Sequence, residues 1–193
     1  MTPRRSHHLI GLVRGQFGDM PEAEWLDFIV GAGFDGWEEA SWELDLSACD
    51  TPAGSEACAA DRLSLARGRG LAILSVAAHL QGQALGDEPS AKTLPFVGGE
   101  AVEAYVAWRN SGHEPPRTDP YHVPNEVGRL IHAQALRGLL RAVRLAGALG
   151  RLQGRRVPVP GFVGSPARCW SHWFEFPPRP RDIGGCPIPG VLD

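Results

Sequence analysis

The sequence predicts an α/β fold in which parallel strands alternate with helices. Short apolar runs alternate with amphipathic segments, and about 30 residues separate one run from the next, which is the length of a strand-helix-strand unit. The chain has 193 residues, of which 43% are apolar, so it is long enough to bury one substantial core. Such alternation builds either an open doubly wound sheet or a (β/α) barrel through right-handed crossovers. The pattern alone does not choose between these two architectures.

The first part of the chain supplies three strands and two helices. Each predicted strand is a short apolar run of the kind found in sheets buried on both faces, and each predicted helix carries apolar residues at helical spacing. The predicted strands span 9–13, 34–40 and 71–78, and the predicted helices span 21–32 and 55–69.

A glycine-rich stretch between the first helix and the second strand matches the letters of a dinucleotide-binding fingerprint. The stretch, residues 31–36, reads G-A-G-F-D-G. The fingerprint binds a pyrophosphate only where it follows a strand and opens a helix. Here the glycines end a helix and begin a strand, so we interpret them as a helix C-cap and a tight turn.

The second part begins with a long excursion at residues 81–124, in which 99–110 is a predicted helix. Excursions of this length are usually functional. A long amphipathic helix is then predicted for 125–149, and a fourth strand for 157–162. Arg137, Arg141 and Arg144 lie along one side of the long helix, where we expect a solvated face.

Composition and motifs exclude several classes of function. The formal net charge of −3 gives no general attraction to nucleic acid or to an anionic membrane, so we predict neither partner. No window approaches the roughly 20 apolar residues of a membrane span, and no signal peptide is recognised. The four cysteines have no C-x-x-C spacing, which indicates free thiols in a cytoplasmic protein. No phosphate loop, zinc-protease motif or nucleophile elbow is present.

Polar residues stand where the predicted strands end. In parallel α/β folds ligands bind at the carboxyl ends of the strands, because the loops converge there. The candidate substrate-binding residues and proton-handling residues are therefore ordered along the chain by topology: Gln16, Glu38, Trp42, His79, Gln81 and Ser165.

Two of these candidates have an ordinary structural alternative. Glu38 and Glu39 are adjacent on a strand and point to opposite faces, so at most one faces the strand-end site and we expect the other at the surface. A histidine that closes a buried strand, such as His79, is about as often a cap for a backbone group as a functional group. Agreement among four strand ends favours the functional interpretation.

Four segments together resemble the sugar phosphate isomerases/epimerases with a xylose isomerase-like TIM barrel. They are Q-F-G-D-M-P at 16–21, G-F-D-G-W-E-E-A-S-W at 33–42, A-H-L-Q-G-Q at 78–83 and G-F-V-G-S-P at 161–166. The resemblance implies a (β/α)8 barrel that isomerises or epimerises a small sugar or polyol derivative. It also implies a divalent metal, Mn²⁺, Mg²⁺ or Co²⁺, that stabilises an enediolate, with two Glu, one Asp and one His as typical ligands on later strands.

The chain shows about four βα units, whereas a full barrel takes about 250 residues. We therefore expect the N-terminal half of such a barrel at 1–175, followed by a proline- and glycine-rich connecting tail at 176–193. An open edge strand is a liability. Two explanations compete: a truncated or frameshifted product, or half-barrels that self-associate through the open edge.

These considerations lead to the following expectations. Glu38 and His79 handle protons or hydrogen bonds, Gln16, Trp42, Gln81 and Ser165 contact a small sugar-like substrate, and this chain alone binds no metal and is inactive as an isomerase. The alternative is a non-catalytic half-barrel that binds a ligand or a partner.

Overall fold

A computed structural model of the protein describes residues 8–17 and 20–160. The fold is mixed α/β, with three parallel strands and six helices in this part of the chain. In chain order the elements are β1 (Gly11–Val13), α1 (Glu22–Gly31), β2 (Gly36–Ala40), α2 (Pro52–Arg67), β3 (Ala72–Ala77), α3 (His79–Gly86), α4 (Leu94–Val97), α5 (Gly99–Asn110) and α6 (Asn125–Gln153).

The sheet has the order β1-β2-β3, so strands that follow one another along the chain are neighbours in the sheet. Both pairs are parallel, as the alternation in the sequence predicts. Right-handed crossovers that never reverse direction place the connecting helices on one face of the sheet. The core agrees with this arrangement, because side chains of α1, α2 and α6 pack in one cluster with Trp37 of β2 and with Ile73 and Val76 of β3.

The turn between α1 and β2 has the conformation that its glycines require. Gly33 has a φ of 77°, a left-handed conformation that favours glycine, and its amide donates to the carbonyl oxygen of Val30. The interpretation of the glycine-rich stretch as a helix end and a tight turn is confirmed.

The described part of the predicted fourth strand lies alongside β3. The amides of Val76 and Ala78 donate to the carbonyl oxygens of Pro158 and Pro160, each at 3.1 Å. Donors and acceptors both advance by two residues, so the segment runs parallel to β3. Pro158 and Pro160 have no N–H to complete a regular ladder, and the sheet therefore counts three strands among the described residues.

The long excursion contains more helix than the sequence predicts. Its predicted helix, Gly99–Asn110, is confirmed as α5, whereas α3 and α4 were not predicted. These helices pack against the first half of α6 in a second apolar cluster, which is separate from the first and contains Ala84, Leu94, Ala101, Val127 and Ile131. The long helix α6, predicted for 125–149, extends to Gln153.

One prediction about charged residues needs correction. Glu39 is 2% exposed rather than at the surface, and its carboxylate lies 2.8 Å from Arg62 of α2. The solvated face predicted for the arginines of α6 is confirmed: Arg137 and Arg144 are exposed, and Arg141 forms a two-pronged, exposed ion pair with Asp50. Both ion pairs join residues that are distant in sequence, so the local sequence gave no signal of either pairing.

None of the helices in the described part of the chain combines the length and the apolar character that a membrane crossing requires. The predicted boundary at residue 175 lies outside the described residues.

Candidate functional site

The carboxyl ends of the three strands meet at one edge of the sheet, where Glu38 is held by its neighbour on β3. Glu38 lies opposite Val13 of β1 and Ser75 of β3 in the strand register. The Ser75 hydroxyl donates to the Glu38 carboxylate at 2.7 Å, and the Glu38 side chain is half-buried. One carboxylate oxygen therefore has a fixed partner, and the side chain is oriented at the strand ends.

Trp42 and His79 bring the ends of the three strands together. Trp42 lies in the short 3-10 turn Ser41–Glu43 after β2, and His79 is the first residue of α3, two positions after the end of β3. Their rings meet edge to face, with centroids 4.5 Å apart and an interplanar angle of 70°. The indole also lies against the turn after β1, because a Cβ at Gly15 would come within 2.6 Å of Trp42 Cζ2. The strand ends thus converge around one aromatic ring.

His79 is predominantly neutral at pH 7. Partial burial against its neighbours lowers the pKa of the imidazole below its ordinary value, and the negative charge of Glu38 partly opposes this effect. His79 is nonetheless exposed overall, so part of the ring faces solvent. A neutral imidazole offers one donor and one acceptor, which suits hydrogen bonding to hydroxyl groups.

Gln81 lies deeper than Glu38, Trp42 and His79. It is 6% exposed in α3, its amide oxygen accepts from the Ser41 hydroxyl at 3.4 Å, and its stem packs against Gly138 of α6. Gln81 therefore supports the turn that carries Trp42, and its predicted contact with substrate stays a prediction.

The structure shows less about the two remaining candidates, Gln16 and Ser165. Gln16 ends the 3-10 turn Arg14–Gln16 that follows β1, on the same edge of the sheet as Trp42. Ser165 lies outside the described residues. Their predicted roles in substrate binding stay predictions.

An ion pair that the sequence analysis did not identify also joins two strand ends. Arg14, directly after β1, lies 3.1 Å from the carboxylate of Glu43, in the turn after β2. Arg14 is 9% exposed, and its guanidinium also donates to the carbonyl oxygen of Met20 at 2.7 Å. The signal in the sequence was the position of both charged residues after predicted strands: Arg14 follows the strand 9–13 directly, and Glu43 lies three residues after the strand 34–40.

The described residues do not fit the metal that the resemblance implies. A hard divalent cation in such a site needs several converging oxygen or nitrogen ligands. Glu38 and His79 offer one carboxylate and one imidazole, and Glu38 already accepts a hydrogen bond from Ser75. In the described ranges no group of three or more His, Cys, Asp or Glu side chains could hold a metal ion.

Two grooves lie away from the strand ends. One, of about 550 Å³, runs between α2 and the end of α6 and includes Leu63, Arg67 and Leu152. The other, of about 580 Å³, lies at the start of α6 and includes Lys92 and Tyr121. Neither includes Glu38, Trp42 or His79. We give more weight to the strand ends, because convergent polar side chains and an altered pKa are better indications of chemistry than volume.

Comparison with known proteins adds no assignment: the chain matches no protein-family model, and no curated protein matches it.

Proposed function

We propose that the strand ends of β1, β2 and β3 bind a small sugar or polyol derivative, as in the sugar isomerases and epimerases that the sequence resembles. One observation carries the proposal: Trp42 contacts both Gly15 and His79, so residues that follow three successive parallel strands meet, and the charge of Glu38 acts on the His79 imidazole. Ligands of parallel α/β folds bind at this edge of the sheet.

The side chains present suit a polyhydroxylated ligand. The free lone pairs of Glu38 accept from hydroxyl groups, the neutral imidazole of His79 donates or accepts, and the half-buried indole of Trp42 supplies an apolar wall for C–H groups. In this proposal Glu38 and His79 are the residues that would move a proton between neighbouring carbons of the ligand. Ser75 is a positioning residue, because it acts by orienting Glu38.

The winding of the chain supports the barrel in this proposal. The strand order does not reverse, the crossover helices share one core cluster, and a fourth parallel segment continues the sheet beyond β3. A doubly wound sheet reverses its strand order at a switch point and places helices on both faces. We therefore propose that β1–β3 are strands of a (β/α) barrel of the xylose isomerase-like type.

Ligand-observed NMR tests the binding site. The purified chain is mixed in turn with a pentose, a hexose, their phosphates and an inositol, and saturation transfer to each ligand is measured. We expect at least one of these compounds to bind at millimolar concentration or tighter, with at least a tenfold loss of affinity in Glu38→Gln and in His79→Gln. That loss corresponds to about 1.4 kcal/mol per variant, which is typical of a hydrogen bond to a charged or polar ligand group.

Matched controls are available on the excursion. Glu103 and His113 are exposed in α5 and just after it, so Glu103→Gln and His113→Gln change the same chemical groups away from the strand ends. Both controls should bind like the natural chain. Binding that Glu38→Gln and His79→Gln leave unchanged, or the lack of binding by every compound, would refute the site.

A second candidate function is a ligand- or partner-binding half-barrel without catalysis. It is favoured by the observation that the described residues group no three metal ligands together. Exchange of the C2 proton of a bound sugar into heavy water, with or without added Mn²⁺, would overturn this candidate.

A further inference from the structure

The groove at the start of α6 has walls that are joined to one another by direct contacts. Its lining comes from three segments, 88–92, 119–125 and the first part of α6. The Ala91 amide donates to the carbonyl oxygen of Tyr121 at 2.8 Å, which joins the first two segments. A Cβ at Gly128 would come within 3.3 Å of Pro89, so the first segment also lies closely on the helix. The groove, of about 580 Å³, is therefore a built feature of the fold.

Two basic side chains on this groove keep their positive charge available to a ligand. Lys92 is the only lysine in the chain, and its ammonium lies 4.0 Å from the centroid of the Tyr121 ring. This cation–π contact holds the ammonium at the groove without neutralising it. Arg129 lies 3.4 Å from Glu126, but the two side chains are 77% and 75% exposed, so water screens the pair. An anion in the groove would meet both cations at little cost.

The groove also presents nitrogen atoms that lack a hydrogen-bond partner. His132 lines it from α6, and the buried Nε2 atom of its imidazole has no partner in the described part of the chain. A buried polar atom without a partner is costly, and in the Nε2–H tautomer this atom would donate to a ligand oxygen. In addition, α6 begins after Pro124 with no side-chain cap, so the first amides of this 29-residue helix also face the groove's end as donors.

The two carboxylates on the groove do not reverse this balance. Asp119 accepts from the Tyr121 amide at 3.2 Å, and its other oxygen lies 4.0 Å from Nδ1 of His122. Its turn therefore already engages Asp119. Glu88 is exposed, where water and salt screen its charge. Hydrogen-bond donors thus predominate among the groups that a ligand would meet.

We propose that this groove binds the phosphate group of a small phosphorylated metabolite, at a site separate from the strand ends. A phosphate monoester carries about two negative charges and three strong acceptor oxygens, which match the two cations and the imidazole better than the two oxygens of a carboxylate do. The volume of the groove leaves room for the rest of a small molecule. None of these side chains belongs to the strand-end site, so the proposal does not depend on sugar binding there.

Equilibrium dialysis of the intact chain against radiolabelled inorganic phosphate tests the site. The ionic strength is held constant, and unlabelled glycerol phosphate, sulfate and glycerol are added in turn as competitors. We expect saturable binding of phosphate with a Kd of about 1 mM or tighter. Glycerol phosphate should displace the label at least as well as unlabelled inorganic phosphate, and glycerol should not displace it. Displacement by inorganic phosphate but not by glycerol phosphate would overturn the proposal, because the site would then exclude an esterified phosphate.

Substitutions of the two exposed cations identify the groove as the site. Lys92→Gln and Arg129→Gln should each weaken phosphate binding about tenfold, because each removes a charge-assisted hydrogen bond. Arg137→Gln is the matched control, since Arg137 is an exposed arginine on the same helix and lies outside the groove. It should bind phosphate like the natural chain. Circular dichroism spectra of all three variants check that they fold.

The single lysine allows a second, covalent test. The aldehyde of pyridoxal phosphate condenses with the Lys92 amine and releases water, and borohydride then reduces the imine to a stable secondary amine. Trypsin does not cut at the modified lysine, so the label appears in the peptide 70–109, separate from any label on the N-terminal amine. We expect saturating inorganic phosphate to slow labelling of Lys92 about fivefold or more, and to leave labelling of the N-terminal amine unchanged.

Three further results would overturn the proposal: no saturable binding at phosphate concentrations up to about 10 mM, an affinity that Lys92→Gln and Arg129→Gln both leave unchanged, or an equal loss of affinity in Arg137→Gln, which would indicate a general effect of charge.

Discussion

At the scale of single residues, buried charges join the sheet to α2. The Arg62 guanidinium lies 2.8 Å from the Glu39 carboxylate and 2.6 Å from that of Glu22. Burial raises the pKa of Glu39 despite the attraction of Arg62. Burial also lowers the pKa of Arg62, but its two carboxylate neighbours more than offset this effect. The charged form of the buried Glu39 carboxylate thus depends on the guanidinium of Arg62.

Removing that cation should be costly. We predict that Arg62→Ala lowers the free energy of unfolding by about 3–5 kcal/mol, because it leaves a buried charge without a partner. A raised pKa means that Glu39 contributes stability at low pH that is lost as pH rises through the raised value, so the penalty should shrink in acid. Urea denaturation at pH 7 and at pH 5 measures both effects.

A surface ion pair gives the comparison for Arg62. Arg69→Ala removes a partner of Asp27, whose side chain is 76% exposed, and should cost under about 1 kcal/mol. The double variant Glu39→Gln/Arg62→Met should recover most of the loss, since Gln keeps an acceptor for the Trp37 indole N–H. Equal losses in Arg62→Ala and Arg69→Ala would show that Glu39 is not dependent on its partner.

The titration of His79 reports the geometry of the candidate site directly. Burial lowers its pKa and Glu38 raises it, so we predict that Glu38→Gln lowers the pKa of His79 further. Because the pKa in the folded state is depressed, the stability that His79 contributes is present above about pH 6.5 and is lost as pH falls through the lowered value. NMR of the imidazole C–H groups from pH 4 to 8 measures the pKa, with Glu103→Gln as the unaffected control. A pKa that is the same in Glu38→Gln and the natural chain would place the two side chains apart.

At the scale of elements, α6 joins two apolar clusters that lie along its length. Its first half contributes Val127, Ile131 and Ala135 to the cluster with α3, α4 and α5, whereas its second half packs against α2 and β3. Ile131 and Leu145 are both completely buried, one in each cluster. The helix is therefore continuous through two packing environments.

Truncation of these two residues should affect different parts of the molecule. Both Ile131→Ala and Leu145→Ala remove buried methyl groups, at an expected cost of about 2–5 kcal/mol in the free energy of the unit that each one supports. We predict that Ile131→Ala speeds amide hydrogen exchange in α4 and α5 and leaves β2 and β3 protected, whereas Leu145→Ala speeds exchange in the sheet. Mass spectrometry of exchange makes the comparison. Faster exchange of the sheet in Ile131→Ala would mean that the two clusters unfold as one.

At the scale of the whole molecule, the sequence predicted elements well and pairings poorly. α5 was predicted with its exact bounds, because apolar periodicity is a local property, while α3 and α4 are too short to show it. Glu38 was predicted as a strand-end residue from topology. Its hydrogen-bond partner Ser75 was not predicted, because the pairing of β2 with β3 is irregular at this point. Ile73 lies opposite Trp37, and one residue of β3 is then skipped, so that Ser75 lies opposite Glu38. Such shifts of register depend on tertiary packing.

The order of the strands also determines when each part of the sheet can form during synthesis. The Ile10 amide, just before β1, donates to Asp35, which lies 25 positions later in the sequence, and Glu38 accepts from Ser75, 37 positions later. These separations are short, so β1, β2 and β3 can pair soon after they leave the ribosome. Arg155 reaches the carbonyl oxygen of Ile73 only across 82 positions, because the excursion and α6 must be made first. At about 5–20 residues per second, the edge of β3 waits roughly 4–16 s for its covering segment. During that interval the outer edge of β3 has no neighbouring segment, and an exposed apolar edge of this kind is where a nascent chain is most prone to aggregate.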